Sequence, residues 1–162
     1  IMPSLVGSEM CIRDRGYPSH GGGLEKAFIK FLDRDAEVER FLKINESGHS
    51  FAIIFYVRKD GLMATYHPDF IVATADKVYL IETKGDDKVD DVNVRQKQTA
   101  TIEWIKKINA LEPEDRMNRT WEYVLIGESV FYSLSGSGAT ITDICNQCKV
   151  SYSVATGNLF DM

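Results

Sequence analysis

The sequence predicts a mixed α/β domain, a central sheet flanked by helices in the order helix, strand, strand, strand, helix, strand. Three observations lead there. Residues 24–32 place apolar side chains at helical spacing; residues 63–83 form a long β-branched and aromatic run; and residues 92–110 return to helical spacing before a last apolar strand at 121–127. A purely helical or purely sheet protein would not alternate its period in this way.

The chain has 162 residues and a formal charge of −5, enough for one domain with a proper core. No apolar run is long enough to span a membrane. The three cysteines, Cys11, Cys145 and Cys148, are too few for a disulfide scaffold, so a reducing cytoplasm is the expected setting. Cys145 and Cys148 form a lone CxxC with no second ligand pair for zinc, and helical packing is its expected role. Sequences of the GxxxxGK[ST], GxSxG and HExxH types do not occur, which excludes ATP hydrolysis by a phosphate-binding loop within this chain.

In chain order, residues 4–15 (SLVGSEMCIRDR) look unlike the rest. They resemble the translation of a transposase-type sequencing adaptor, so residues 1–15 are expected to be an artefact without order, and the gene to be truncated upstream. Residues 16–23, with Pro18 and three consecutive glycines, read as a linker, leaving 24–162 as the domain. The first helix carries Leu24, Ala27, Phe28, Phe31 and Leu32 as its apolar stripe, with Glu25 at the stripe's border. Asp35 is placed to cap a second short helix over residues 36–44. Residues 51–57 read as a strand buried on both sides. Lys59-Asp60-Gly61 is a hairpin turn into the next strand, and Ala75-Asp76 a turn between the two that follow. The acidic run 86–91 is expected to open the second long helix, where carboxylates suit the dipole. That helix has a stripe of Val94, Thr101, Ile105 and Ile108, joined by Ala100, Trp104 and Leu111. Residues 121–127 should pair beside the strand bearing Glu82, with Phe131-Tyr132 extending the sheet and residues 140–148 forming a helix.

The chemistry concentrates in residues 66–85, YHPDFIVATADKVYLIETKG. Side chains alternate along a strand, so Glu82 and Lys84 share one face while Tyr79, Ile81 and Thr83 share the other. Pro68 lacks a backbone donor and should break the preceding strand, turning Asp69 towards Glu82. Two neighbouring carboxylates repel unless a proton or cation lies between them, and oxygen ligands favour a hard ion such as Mg²⁺. A metal on Asp69 and Glu82 would polarise a phosphoryl oxygen, with Lys84 offsetting the developing charge. The competing reading is a buried strand pair ending in ordinary surface charges.

This stretch resembles the PD-(D/E)xK nuclease signature. Together with GGLEKAFIKFLDRDAEVERFLKI, ATYHPDFIV, YLIETKG and WEYVLIGE, it resembles the C-terminal endonuclease domain of the restriction (helicase–nuclease) subunit of type III restriction–modification enzymes. The resemblance covers residues 22–128. It implies a restriction-endonuclease-like core (αβββαβ) and Mg²⁺-dependent hydrolysis of double-stranded DNA, with Mn²⁺ as a substitute. By this resemblance Asp69, Glu82 and the Thr83 carbonyl hold the metal, Lys84 positions the attacking water, and Glu25 completes the acidic cluster. His67, Lys97 and Gln98 are the residues expected near substrate. ATP would act only through a motor region of the same subunit, outside this chain, and a methyltransferase subunit would recognise the site. The alternatives are a repair or junction-resolving nuclease with the same core, and a non-catalytic nucleic-acid-binding module.

Overall fold

A computed structural model of the chain describes residues 23–45, 49, 53–86 and 92–149. The expectations for residues 1–22, for the acidic residues 87–91 and for the tail beyond 149 lie outside the described residues.

The first helix, α1 (Gly23–Leu32), buries Leu24, Phe28, Ile29 and Leu32 along one stripe. After it the chain does not form the expected second helix. Residues 36–39 turn, and Arg40–Lys43 form a strand, β1, antiparallel to β4 (Phe70–Ala73) with Phe41 opposite Val72. The spacing of Val38, Phe41 and Leu42 suits a helix, but as a strand this segment covers the free edge of β4, and both Val38 and Phe41 still pack on the core. Asp35 does not cap a helix over 36–44, because none forms there. Its Oδ1 accepts from the Glu37 amide at 2.9 Å, and its Oδ2 accepts from the Ile141 amide at 2.7 Å, at the start of the last helix.

β2 (Ile54–Val57) and β3 (Met63–Tyr66) form a separate two-stranded antiparallel hairpin. Its turn places Gly61 at φ 81°, where glycine meets no steric penalty. The expectation that this strand is buried on both sides fails. Ile54 is buried, but Phe55 and Val57 are 63% and 56% exposed, because only one face of the hairpin lies against the second long helix, α2 (Val92–Asn109). The main sheet has the order β1-β4-β5-β6, with β5 at Lys77–Lys84 and β6 at Thr120–Gly127. β4 and β5 are antiparallel, whereas β5 and β6 run parallel in register from Lys77 opposite Thr120 to Lys84 opposite Gly127. The parallel pairing follows from α2, which carries the chain back along the sheet.

Phe131 and Tyr132 do not extend the sheet; they lie in α3 (Glu128–Gly136). Phe131 meets Phe28 and Phe31 edge to face, with centroids 5.3 and 5.6 Å away. Burying that ring against α1 requires a helix across the sheet rather than a further strand. α4 (Ile141–Cys148) begins with a Thr140–Asp143 capping box and buries Ile141, Ile144 and Cys145, so the CxxC faces packing, as expected.

Helices therefore cover both faces of a mixed sheet. On one face α1, α3 and α4 pack on Phe70, Val72, Tyr79, Ile81, Val124 and Ile126. On the other, α2 and the hairpin pack on Leu80 and Tyr123 through Ile102, Ile105, Ile54 and Tyr66. In α2 the buried stripe is Val94, Thr101, Ile102 and Ile105, and Leu111, expected to join it, is 45% exposed beyond the helix end. Among the described residues, no helix is long and apolar enough to cross a membrane.

Candidate active site

The site is assembled where the chain leaves one sheet for another. β3 ends at Tyr66 in the hairpin and β4 starts at Phe70 in the main sheet, so residues 67–69 form the corner. Pro68 is buried there and donates nothing to either ladder. Phe70 pairs with Ile81, and carrying that register one step on sets Asp69 across from Glu82. The two carboxylates lie near enough for the Asp69 charge to act on Glu82, which is the approach that the bend at Pro68 was expected to produce.

Asp69 then takes over part of the ladder. Its Oδ2 accepts from the Thr83 amide at 2.8 Å and from the Thr83 hydroxyl at 3.0 Å. The Asp69 carbonyl accepts from the Ile44 amide at 2.8 Å, joining the corner to the end of β1. Among the described residues, Oδ1 of Asp69 accepts no hydrogen bond.

Glu82 is 3% exposed near the end of β5, and both its oxygens are engaged. Lys84 Nζ lies 2.5 Å from Oε1, and the Tyr66 hydroxyl donates to Oε2 at 2.6 Å. Burial raises the Glu82 pKa and the Asp69 charge raises it further; Lys84 and the Tyr66 hydroxyl offset this only in part. Burial pulls the Lys84 pKa down, but Glu82, Asp69 and Glu25 outweigh it and the net shift is upward. Lys84 is therefore an ammonium at neutral pH, a donor and a positive charge rather than a base.

Glu25, on the first turn of α1, reaches the rim of the cluster. Lys43 Nζ at the end of β1 lies 3.0 Å from its Oε2, yet off the hydrogen-bonding direction, so the contact is ionic. Lys97 stands on the site side of α2. Its ammonium lies 5.1 Å from the ring centre of Tyr66 and 6.0 Å from that of Tyr56. Gln98, one residue further, is half-buried and, among the described residues, has no hydrogen bond to Asp69, Glu82 or Lys84. His67 is half-buried at the corner, with its Nε2 enclosed and unpartnered. It lies in the corner between β3 and β4 and, among the described residues, has no hydrogen bond to Asp69, Glu82 or Lys84.

Two residues at this site escaped the sequence reading. Tyr66 looked like one more strand aromatic; a fully buried tyrosine needs a partner for its hydroxyl, but nothing in the spacing names Glu82. Lys43 was hidden by the expectation of a helix over 36–44. An open groove of about 490 Å³ between α1, α3 and the start of α4 is lined by none of these residues.

Among the described residues, no three His, Cys, Asp or Glu side chains gather as a ready metal cage. The donor set still suits a hard ion that keeps most of its own waters. Mg²⁺ is commonly held by one or two carboxylates, and here one from the corner before β4 approaches one on β5. No family model, curated protein or solved structure matches the chain.

Proposed function

We propose that this domain is a Mg²⁺-dependent DNA endonuclease with a restriction-endonuclease-like core, acting on foreign DNA within a type III restriction system. The observation that carries the proposal is the juxtaposition of Asp69 with Glu82 across β4 and β5, with Lys84 on Glu82 Oε1 at 2.5 Å. Asp69 and Glu82 would hold the ion, with the Thr83 carbonyl as a further oxygen. The ion would supply Lewis acidity to a phosphoryl oxygen and a bound water of lowered pKa.

The chain's own residues account for the rest. Thr83 fixes Asp69 through two donors, so this carboxylate is oriented in advance. Lys84, held charged by Glu82, offers an ammonium to the negative charge that grows on phosphate oxygens during attack. Its depth beside a buried carboxylate makes that charge more effective than one in open water. Lys97 and Lys43 add positive charge beside the carboxylates, which a polyanionic strand needs in a chain of net charge −5. The motor region and the methyltransferase subunit belong to the same proposal and would supply translocation and site choice.

The test incubates supercoiled plasmid with the chain, and with its fusion to a motor region, in Mg²⁺ or Mn²⁺. Nicking should require the metal and be lost in Asp69→Ala and Lys84→Ala. Nicking that survives in both variants would remove the assigned site.

A further inference from the structure

Tyr66 touches two functional groups through different parts of one side chain. Its hydroxyl donates to Glu82 Oε2 at 2.6 Å, and its ring face receives the Lys97 ammonium at 5.1 Å. It is 3% exposed and stands at the last position of β3, between α2 and the end of β5. Packing alone would place a phenylalanine here equally well. A buried hydroxyl is favourable only when it finds a partner, and this one finds the buried carboxylate of the site. The ring serves Lys97 differently. A cation above an aromatic face is held by the ring quadrupole, and its N–H donors are not consumed by a carboxylate. Tyr56, from β2, offers a second ring at 6.0 Å from the same ammonium. Lys97 is half-buried, so it is localised while its donors stay available.

We infer that Tyr66 is a two-ended positioning residue, whose hydroxyl sets the orientation of Glu82 and whose ring holds Lys97 as a phosphate contact for the DNA strand entering the site. The inference rests on the nuclease reading and adds to it the division of labour within one residue. Outer-shell donors to ligating carboxylates are worth roughly 10–100-fold in metal affinity. A single phosphate contact changes the dependence of log affinity on log salt by about one. The two ends of Tyr66 should therefore separate experimentally.

Two measurements on the whole chain test this: Mn²⁺ uptake by electron paramagnetic resonance, and DNA binding in Ca²⁺ by fluorescence anisotropy over a salt series. Tyr66→Phe keeps the ring and should weaken Mn²⁺ uptake about ten-fold while leaving DNA affinity in place. Lys97→Gln should weaken DNA binding and reduce the salt slope by about one, with Mn²⁺ uptake in the absence of DNA unchanged. A purely structural tyrosine would lower the melting temperature and move neither binding curve in this split pattern. Native protein that takes up Mn²⁺ and nicks DNA, with Tyr66→Phe matching its uptake, overturns this inference and leaves the nuclease reading standing. Lys97→Gln with native DNA affinity and salt slope overturns it as well, without reliance on the buried variant. Native protein that binds neither Mn²⁺ nor DNA overturns the nuclease reading and this inference with it.

Discussion

Thr83 grips Asp69 from two directions, with its backbone amide at 2.8 Å and its hydroxyl at 3.0 Å from the same carboxylate oxygen. The grip joins the corner at Pro68 to the end of β5, so one carboxylate both completes a ladder and faces Glu82. Removing it should therefore have two separable consequences. Asp69→Ala leaves the Thr83 amide without its acceptor and should cost about 1–3 kcal/mol of stability. Asp69→Asn keeps an acceptor oxygen and should unfold close to the native midpoint. Both should abolish metal-dependent nicking, because neither presents a carboxylate. Denaturant unfolding alongside a plasmid assay checks the pair.

Glu82 should make stability fall as pH rises. Burial first, and the Asp69 charge second, raise its pKa from the ordinary value of 4.5. Between that value and the raised one, the folded chain holds a proton that the unfolded chain has lost. The contribution is fully present below pH 4.5 and disappears as pH climbs through the folded pKa. Glu82→Gln mimics the protonated form and should lack this loss. Its stability relative to native protein should therefore improve from acid towards neutral pH. Urea unfolding at a series of pH values reads the difference, and parallel curves for the two proteins would refute it.

Lys84 should matter to turnover more than to binding. Its ammonium sits on Glu82 at 2.5 Å, where the reacting phosphate would develop charge. Lys84→Ala should lower kcat by roughly 100-fold or more, the scale of losing one preorganised donor to a developing oxyanion, with KM for DNA little changed. Steady-state nicking kinetics decide between this and a simple phosphate contact, which would raise KM.

Asp35 should be a stability residue far from the chemistry. Its Oδ2 accepts from the Ile141 amide at 2.7 Å, so the turn after α1 caps the first residue of α4. Asp35→Ala should cost about 1–2 kcal/mol, the usual loss for an absent helix cap. Mn²⁺ uptake should be unaffected. Thermal unfolding with a metal titration checks both halves.

Local chemistry in the chain was enough to place β5, β6, α2, both hairpin turns, the break at Pro68 and the company of Asp69, Glu82 and Lys84. Each depends on neighbours in sequence: an unbroken β-branched run, a helical stripe, a missing amide, or alternation along one strand. The segments misjudged depend on distant partners instead. Residues 36–44 carry a helical period, yet 36–39 became a turn and Arg40–Lys43 became β1, because the edge of β4 was open. Phe131 has strand propensity, yet joined a helix because Phe28 and Phe31 offered it an aromatic nest. Tyr66 and Lys43 gained their places at the site only when the hairpin met α2 and β1 met β4. Periodicity reports which face of an element is apolar, whereas the identity of what covers that face, and of the donor that reaches a buried carboxylate, is decided by the packing of elements far apart in the chain.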